Sequence, residues 1–502
     1  MYINKHYMNK EIAMRKEKTF FNWLFIIFSL CLVSTGVVIA DTVHATTKDP
    51  TYQRIRERGY IVLGTSPDYA PYEFQTSSNG KSKDVGMDIS VAKDIAHDLG
   101  VKLKIKNMDF DSLLVGLQTG KVDMVLSGMN PSAARRKSVD FSNVYYQGGQ
   151  SIIINQKDGH LFKDKNSFHQ RKVAAQTGSI QYNLAKKQIK GASVRGIEKG
   201  TDLILALQTN KVDGIVMEKP TAEAYAANNR GLKILNAHFK LNDDETSTSV
   251  ALPKDSPVLK AKINQTIARI KKQKRLPEYL KTAGTYLKGN TVDTSMIHYW
   301  KYFALGVGYT ILISLVGVCF GSIIGALLAL MRLSRHTSLR AIALAYVEFV
   351  RGTPLMVQLM LVYFGLGIVV NLPALTAGMI AVSLNSAAYV AEVIRGGINS
   401  VDEGQVEAAQ SLGLNYQDRL RFVVLPQALK NIWPALGNEF ISLIKESSIV
   451  SIIGVTDLIY QLKIVQSDTY RGVAPILVAM VLYFVLTFSL SRLLKFYEGK
   501  FN

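Results

Sequence analysis

Long apolar runs dominate the chain from Tyr302 onward, and they limit the fold more than any other feature of the sequence. Five of these runs are long enough to cross about 30 Å of hydrocarbon. They cover residues 302–331, 341–370, 373–394, 432–456 and 473–494. The fourth is the least certain, because Lys445 and Glu446 interrupt it and charges at that depth are costly. Residues 300–502 are therefore predicted to form an all-α polytopic membrane domain of about five transmembrane helices.

Basic residues mark which ends of these runs face the cytoplasm. Arginines and lysines follow the first run, surround residues 395–430 and follow the last run, and the positive-inside rule places all three regions in the cytoplasm. The net charge of +20 is explained by these flanks and by scattered exposed lysines. Nucleic-acid binding is therefore not expected.

The N-terminus carries basic residues, then an apolar stretch, then Val43-His44-Ala45. This order is typical of a secretory signal peptide, with an uncleaved membrane anchor as the alternative, and we assign it to residues 1–45. Both interpretations place the next domain, residues 46–285, outside the cell. A short polar linker, 286–299, then leads to the membrane.

An internal repeat organises the outer domain. Residues 113–123, LLVGLQTGKVD, recur as LILALQTNKVD at 203–213, with a constant offset of 90 residues. Each copy predicts an amphipathic helix, a helix stop and a short buried strand, at 122–126 and 214–217. Two similar α/β lobes are therefore expected. Ligands of open α/β sheets bind beyond the carboxyl ends of strands, so the two strand ends are expected to face each other across a cleft.

Residues 407–426 read EAAQSLGLNYQDRLRFVVLP between two apolar runs. This segment resembles the cytoplasmic coupling loop of ABC-transporter permeases, a short helix-turn-helix that docks into a separate ATPase subunit. The small side chains of the second and third residues permit close helix approach, a glycine permits a tight turn, and the proline is expected to begin a new segment. The predicted ATPase-coupling residues are Glu407, Ala408, Ala409, Gly413 and Pro426.

The outer domain resembles polar amino-acid binding proteins over about residues 55–285. The resemblance rests on GTSPDYAPYEF at 64–74, VGMDI at 85–89, the 127–142 block and QTGS at 176–179. The membrane half is similar to the matching permeases through EFVRGTP at 348–354, GQVE at 404–407 and LPQA at 425–428. Together they resemble a fused binding-protein/permease subunit of a glutamine/glutamate-type amino-acid ABC importer. The fold class implied is a type II periplasmic-binding-protein-like α/β domain followed by a type I importer permease domain.

This resemblance implies a role for individual residues in holding an α-amino acid. Arg135 would bind the carboxylate with two parallel hydrogen bonds. Thr177 and Gly178 would add backbone or hydroxyl donors to the same group, and Glu218 would take the ammonium. The remaining predicted contacts are the side-chain sandwich of Tyr69 and Phe110, the close backbone approach at Gly128, and the polar groups of Ser66, Ser127 and Asn130.

Simpler roles for three of these residues stay open from the sequence alone. Arg135 has a neighbouring arginine and could lie on the surface. Phe110 could be an ordinary core residue. Glu218 could pair with Lys219 on the surface.

The predicted function is ATP-driven uptake of a polar amino acid across the cell membrane, with glutamine or glutamate first. The chain contains no G-x-x-x-x-G-K-[ST] motif, so ATP is expected on a separate cytoplasmic ATPase subunit; no cofactor, metal or catalytic residue is expected in this chain. A single five-span unit is half of a typical importer pore, so a homodimer in membrane lipid is expected. The alternative is a ligand-gated ion channel with an amino-acid-binding ectodomain, which would not need a coupling loop.

Overall fold

A computed structural model of the chain describes residues 49–78, 81–289, 295–366, 369–370, 372–469 and 472–501. The predicted signal or anchor segment, 1–45, lies outside these residues. All contacts below fall within one compact unit, Asp49–Asn502.

The first lobe is built on a five-stranded sheet in the order β5-β1-β6-β15-β7, with β5 and β6 parallel to β1. Its strands are β1 (Tyr60–Thr65), β5 (Lys102–Asn107), β6 (Met124–Val125), β7 (Asp140–Phe141) and β15 (Ala251–Leu252), and a separate antiparallel sheet holds β2 (Asp68–Tyr69), β3 (Glu73–Ser78) and β4 (Lys81–Val85). Its helices are Pro50–Arg58, Met87–Asp98, Phe110–Ser112 (3-10), Leu113–Gln118, Ala133–Arg136, Pro257–Lys272 and Arg275–Gly289. Ile61 and Leu63 of β1 are fully buried against these helices.

The second lobe repeats this arrangement with a sheet in the order β11-β10-β12-β9-β13. Its strands are β9 (Gln150–Asn155), β10 (Lys172–Gln176), β11 (Ser193–Ile197), β12 (Gly214–Glu218) and β13 (Leu232–Leu235). Its helices are Gln156–Asp158 (3-10), Lys165–Phe168 (3-10), Ile180–Gln188, Gly200–Gln208, Lys219–Asn228 and Asp243–Thr246. The repeated sequence therefore forms a helix followed by a buried strand in each lobe, as its pattern predicts.

Two chain crossings connect the lobes, and they pair with each other. Strand β8 (Tyr146–Gln147) leads out of the first lobe and β14 (Ser247–Thr248) leads back, joined antiparallel through Tyr146↔Thr248 and Gln147↔Ser247. Such a narrow double connection is suited to hinge closure of two lobes around a ligand.

In the described residues of the membrane half, every regular element is a helix. Its α-helices are Trp300–Leu333, Thr337–Arg351, Leu355–Met360, Ala374–Asn399, Glu403–Ser411, Tyr416–Arg419, Leu425–Glu446, Leu458–Thr469 and Val473–Phe501, with 3-10 turns at Met296–Tyr299 and Ser447–Ile453 and π-helical turns at Leu361–Gly365 and Leu420–Val424. Among the described residues, three helices are long and apolar enough to span a membrane, or up to five spans if each of two bent pairs counts as one. This agrees with about five predicted spans, although two of them are not straight.

Bending affects the second and fourth predicted spans. The second turns by 107° between Thr337–Arg351 and Leu355–Gly365, where Pro354 cannot continue the helix. The fourth is part of the longer helix Tyr416–Ile453, which turns by 56° before Leu458–Thr469. Hydropathy depends only on composition and does not detect a change in the direction of the helix axis. Each bent segment therefore looks like one continuous apolar run in the sequence.

Glycines allow two central membrane helices to pack closely. Gly317, Gly321 and Gly325 lie four residues apart on Trp300–Leu333 and face Ala374–Asn399. A Cβ at any of them would come within 2.7 Å of a side chain of the partner helix. This spacing of small residues allows close backbone approach in a membrane.

The connection between the two halves is shorter than predicted. Helix Arg275–Gly289 extends into the predicted linker 286–299, because Leu287 is buried with Ala283 against Phe74 and Val85. The membrane half begins with the 3-10 turn Met296–Tyr299. Residues 290–294 lie outside the described residues.

Candidate functional site

The two repeated strands end at the same cleft, one on each lobe. Beyond β6 lie Ser127, Gly128 and Asn130, and β12 ends at Glu218. Asn130 Nδ2 donates to Glu218 Oε1 at 3.1 Å and to the Ser247 carbonyl at 2.8 Å. The backbone N–H of Glu218 donates to the Tyr69 hydroxyl at 3.2 Å. These hydrogen bonds cross between the lobes, so the structure describes a closed cleft.

Arg135 lies at the mouth of this cleft and is half-buried. Its guanidinium donates to the carbonyl of Asn130 at 2.9 Å and to the carbonyl of Gly178, on the other lobe, at 3.0 Å. A guanidinium has five N–H donors, so these two bonds orient the group without using it up. Burial lowers the pKa of Arg135 to about 10, against the raising effect of Glu218. The guanidinium of Arg135 therefore remains a cation at neutral pH. Its half-buried position also differs from that of the ordinary surface arginine that its neighbour Arg136 suggested.

Glu218 supplies the negative charge on the opposite lobe. It is almost fully buried, and its Oε2 atom makes no hydrogen bond among the described residues. Burial raises the pKa of Glu218 to about 7, although the nearby Tyr72 hydroxyl and Asn130 amide lower it. The surface pairing with Lys219 is wrong, since Lys219 lies 3.9 Å from Glu223 instead. A buried acid with one unpaired oxygen is suited to receive an ammonium group.

The pKa of Glu218 predicts a pH-dependent affinity. An ammonium group binds the carboxylate and not the neutral acid, so below pH 7 a proton must leave before the ligand binds. We expect the affinity for an α-amino acid to fall by up to about tenfold per pH unit below 7, the limit for one linked proton. Calorimetry on the full chain between pH 8 and pH 5.5 would measure this fall.

The control for this prediction is Glu218→Gln, which should bind weakly and with little pH dependence. Asp88 is the nearby alternative, because burial raises its pKa to about 6. If the same pH dependence persists in Glu218→Gln, the titrating group is not Glu218.

Aromatic rings and a glycine form the floor of the cleft. The Tyr69 ring stacks on Tyr72 at 6.0 Å, and Gly128, at φ +53°, lies against it. A side chain at Gly128 would meet both the Tyr69 ring and a strained backbone. Phe110 is half-buried and lies 5.4 Å beneath the Arg135 guanidinium, a cation–π contact. The sandwich of a ligand side chain between Tyr69 and Phe110 stays a prediction.

Three of the predicted ligand-binding residues already make hydrogen bonds within the protein. The Thr177 N–H is already used by the Ile197 carbonyl at 3.0 Å, so only its hydroxyl can serve as the predicted donor. Gly178 presents its carbonyl to Arg135. The Ser66 hydroxyl donates to Asp68 Oδ1 at 2.9 Å, which leaves its oxygen as an acceptor.

Glu73 is the cleft residue that the sequence did not single out. It is fully buried, its Oε1 accepts from the Ser127 hydroxyl at 2.7 Å, and its Oε2 makes no hydrogen bond among the described residues. Burial, and then the neighbouring Asp88, raise its pKa well above the usual value. Asp88 accepts from the Gly128 N–H at 2.8 Å and the Tyr145 hydroxyl at 2.7 Å. The sequence signal that could have found Glu73 was an acidic residue within the ligand-loop motif at 64–74.

The predicted coupling segment forms a helix-turn-helix in the membrane half of the chain. Helix Glu403–Ser411 is followed by Gly413 at φ +81°, and the N–H of Leu414 bonds the carbonyl of Ala409 at 3.2 Å. This is the Schellman ending, for which glycine is preferred. Ala409 is buried, whereas Ala408 and Glu407 are exposed. Three large apolar side chains are also exposed there: Leu412, Tyr416 and Phe422.

Pro426 does not begin a new segment as expected. The chain remains helical from Tyr416 through Leu425–Glu446, with Pro426 in the first turn of the latter. The π-helical turn Leu420–Val424 directly before it widens the helix, which accommodates a residue without an N–H.

Fold and cleft thus define a two-lobed binding domain for a small zwitterion, joined to a helical membrane domain. Residues 61–284 match the model of the bacterial extracellular solute-binding proteins, family 3, and residues 294–502 match that of the binding-protein-dependent transport system inner membrane component. The chain belongs to the amino-acid permeases of the ABC transporters, with a solute-binding domain fused in front of the permease domain. It is a transport subunit and a protein of the cell membrane.

Known proteins are similar to this chain over less than half of its length, either as permeases or as substrate-binding proteins. A putative glutamine transport system permease protein of Rickettsia conorii is 43% identical over 197 residues, covering 39% of this chain and 90% of the relative. An arginine transport system permease protein of Bacillus subtilis is 42% identical over 197 residues, with the same coverage. An amino acid ABC transporter substrate-binding protein from Streptococcus pneumoniae, bound to L-arginine, is 36% identical with a TM-score of 0.45, covering 47% of this chain and 98% of that one.

Proposed function

We propose that this chain is the combined substrate-binding and membrane subunit of an ATP-driven importer of a polar amino acid, with glutamine as the first candidate. The observation that carries the proposal is the pairing of a fixed cation, Arg135, on one lobe with a buried acid, Glu218, on the other. An α-amino acid presents a carboxylate and an ammonium group, so it can bridge these two side chains when the lobes close.

The rest of the importer follows from the membrane half. The helix-turn-helix at 403–424 exposes Leu412, Tyr416 and Phe422, and apolar side chains at a loop are suited to contact another protein. We assign this surface to a cytoplasmic ATPase subunit that binds ATP, while this chain binds no cofactor. The functional unit is a homodimer in the lipid of the cell membrane, with the binding domain extracellular.

Glu73 favours a neutral side chain on the substrate. Burial, and then the neighbouring Asp88, raise the pKa of Glu73 and so favour its neutral form, which would offer one donor and one acceptor to a carboxamide. An acidic side chain would lie close to Glu73 and Asp88 without a counter-charge, and this disfavours glutamate. Asp68 is buried, and its two oxygens already accept from Ser66 Oγ and the Gly200 N–H, so part of its hydrogen-bonding capacity is used within the fold.

Competition binding tests this assignment. Glutamine, asparagine, glutamate, arginine, lysine and histidine would be titrated into the full chain in lipid nanodiscs. We expect glutamine to bind tightest. Arginine or lysine binding at least about tenfold tighter, a difference of about 1.4 kcal/mol, would overturn glutamine as the substrate.

The variant Glu73→Gln distinguishes a neutral substrate side chain from a cationic one. If Glu73 is a neutral acid, this isosteric change should alter glutamine affinity by less than about threefold, or about 0.7 kcal/mol. If Glu73 is instead the counter-charge for a cationic substrate, the same change should weaken arginine binding by tenfold or more. Uptake into vesicles containing the ATPase partner then tests transport, whereas ion currents without ATP would favour the channel alternative.

A further inference from the structure

A row of lysines lies on one face of β5, the edge strand of the first lobe. Lys102, Lys104 and Lys106 alternate along the strand, so their side chains share one face of the sheet over about 13 Å. Lys102 and Lys104 are exposed, and Lys106 is half-buried. Lysines on an edge strand commonly prevent pairing with another chain. The neighbours of these lysines indicate a further role.

The row is part of a group of crowded cations. The Lys104 Nζ atom lies 3.5 Å from the centroid of the Tyr60 ring, and the Arg58 guanidinium lies 4.6 Å from the same centroid. The Lys106 Nζ atom donates to the carbonyl of Lys121 at 3.1 Å. Burial, and then these three neighbouring cations, lower the pKa of Lys106 to about 8. Like charges are therefore held together at this edge of the lobe.

Asp123 is the buried acid of this group, and its charge is already balanced. Its Oδ1 atom lies 3.3 Å from Arg54, its Oδ2 atom bonds Arg58, and the Val62 N–H donates to Oδ2 at 2.7 Å. Two arginines share one carboxylate, so positive charge exceeds negative charge before the lysines are counted. An anion from outside the chain would offset this excess. We call these side chains the basic cluster: Arg54, Arg58, Lys104, Lys106, Lys121 and Asp123.

The basic cluster lies next to an outer loop of the membrane domain. The Lys121 Nζ atom donates to the Leu372 carbonyl at 3.2 Å, and the Leu372 N–H donates to the Val370 carbonyl at 2.9 Å. Leu372 lies between the second and third predicted spans, on the side opposite to the cytoplasmic arginines. Val369 and Val370 are apolar but 86% and 56% exposed, as expected of side chains that contact lipid. Positive charge and exposed apolar side chains therefore lie side by side, which is the complement of an anionic phospholipid.

We propose that the basic cluster binds the phosphate head group of an anionic phospholipid, whose acyl chains contact Val369 and Val370. The lysine ammonium is a compact point charge that binds phosphate well. The assignment to the outer leaflet rests on the proposed function, which places the binding domain outside the cell. The lipid is a second ligand of the chain, distinct from the amino acid in the cleft.

Native mass spectrometry of the full chain in a neutral detergent tests this site. Phosphatidylglycerol, phosphatidylcholine and inorganic phosphate would be titrated separately. We expect phosphatidylglycerol to bind at least about tenfold tighter than either of the others, because it alone combines a net negative head group with acyl chains. Cytoplasmic arginines also attract anionic lipid, so the decisive quantity is the difference between the wild-type chain and the variants.

The double variant Lys104→Gln with Lys106→Gln should lose one bound phosphatidylglycerol. Its Kd at this site should rise about thirtyfold, since each basic residue near an anionic head group contributes about a fivefold factor. Lys104→Gln alone, at an exposed position, should lose about fivefold. Lys104→Arg with Lys106→Arg keeps both charges and should retain the lipid. The matched control is Lys271→Gln with Lys272→Gln, two exposed lysines of the same lobe, which should bind as many lipids as the wild-type chain.

Unchanged phosphatidylglycerol binding by a chain with both glutamines, unfolding at the wild-type temperature, would overturn the proposal. An equal loss in the Lys271 and Lys272 control would also overturn it. Equal affinity for phosphatidylcholine would show that head-group charge is not recognised, and equal affinity for inorganic phosphate would show that no lipid is needed; either result overturns the lipid site. If the wild-type chain binds the lipid but neither glutamine nor arginine, the proposed function fails while the lipid site stands.

Discussion

Replacing Arg135 with alanine should abolish amino-acid binding while leaving the chain folded. The substitution removes the one cation that links the Asn130 and Gly178 carbonyls at the cleft mouth. Two hydrogen bonds to a charged ligand group would be lost, each contributing about 1.5–3 kcal/mol, so the affinity should fall at least about a hundredfold. Calorimetry with glutamine and arginine on the full chain in nanodiscs would measure the loss.

Arg136→Ala is the matched control for this prediction. The adjacent guanidinium lies on the exposed surface, 3.0 Å from Asp244, and such pairs contribute little. It should bind like the wild-type chain. If a folded Arg135→Ala chain keeps near-normal affinity, Arg135 does not bind the carboxylate.

Two changes in the coupling segment should stop transport without affecting amino-acid binding. Gly413→Pro would force φ from +81° to about −65° and remove the N–H that bonds the Gln410 carbonyl at 3.0 Å. Glu407→Lys reverses an exposed charge on the preceding helix, where a change of fold is not expected. Reconstituted vesicles with the ATPase partner should lose most of their substrate-stimulated ATP hydrolysis and uptake.

One control changes the same position, and the other makes the same charge reversal elsewhere. Gly413→Asn should keep activity, because asparagine tolerates this backbone conformation. Glu57→Lys reverses an exposed charge on the binding domain and should have no effect. Wild-type uptake by Gly413→Pro and Glu407→Lys would show that the segment does not couple this chain to an ATPase.

Sequence reasoning was most successful where a pattern is local. The 90-residue repeat predicted two α/β units because helix and strand periodicities are short-range properties. The strand lengths were less well predicted: the first strand shortens to Met124–Val125, and the second extends to Glu218. Strand ends depend on partners in the sheet, which a single segment does not contain.

The features missed at the cleft and between the two halves of the chain depend on residues from separate parts of the sequence. Glu73 acquires its role from Ser127, 54 residues later, and from the buried Asp88. Tyr460 meets Asn107 across 353 residues of sequence. No periodicity joins such residues, so only the folded chain shows that an ordinary tyrosine of the membrane domain lies over the closed lobes.

The short connection between helix Arg275–Gly289 and Ser295 limits how far the binding domain can move from the membrane domain. Only residues 290–294 separate the two, and a fully extended chain of that length reaches about 20 Å. An undocked binding domain therefore stays within about one domain diameter of its own pore and cannot leave to serve another. Because the proposed function places the binding domain outside the cell, we expect the rate of uptake to depend on the external concentration of the amino acid and not on a supply of free binding protein.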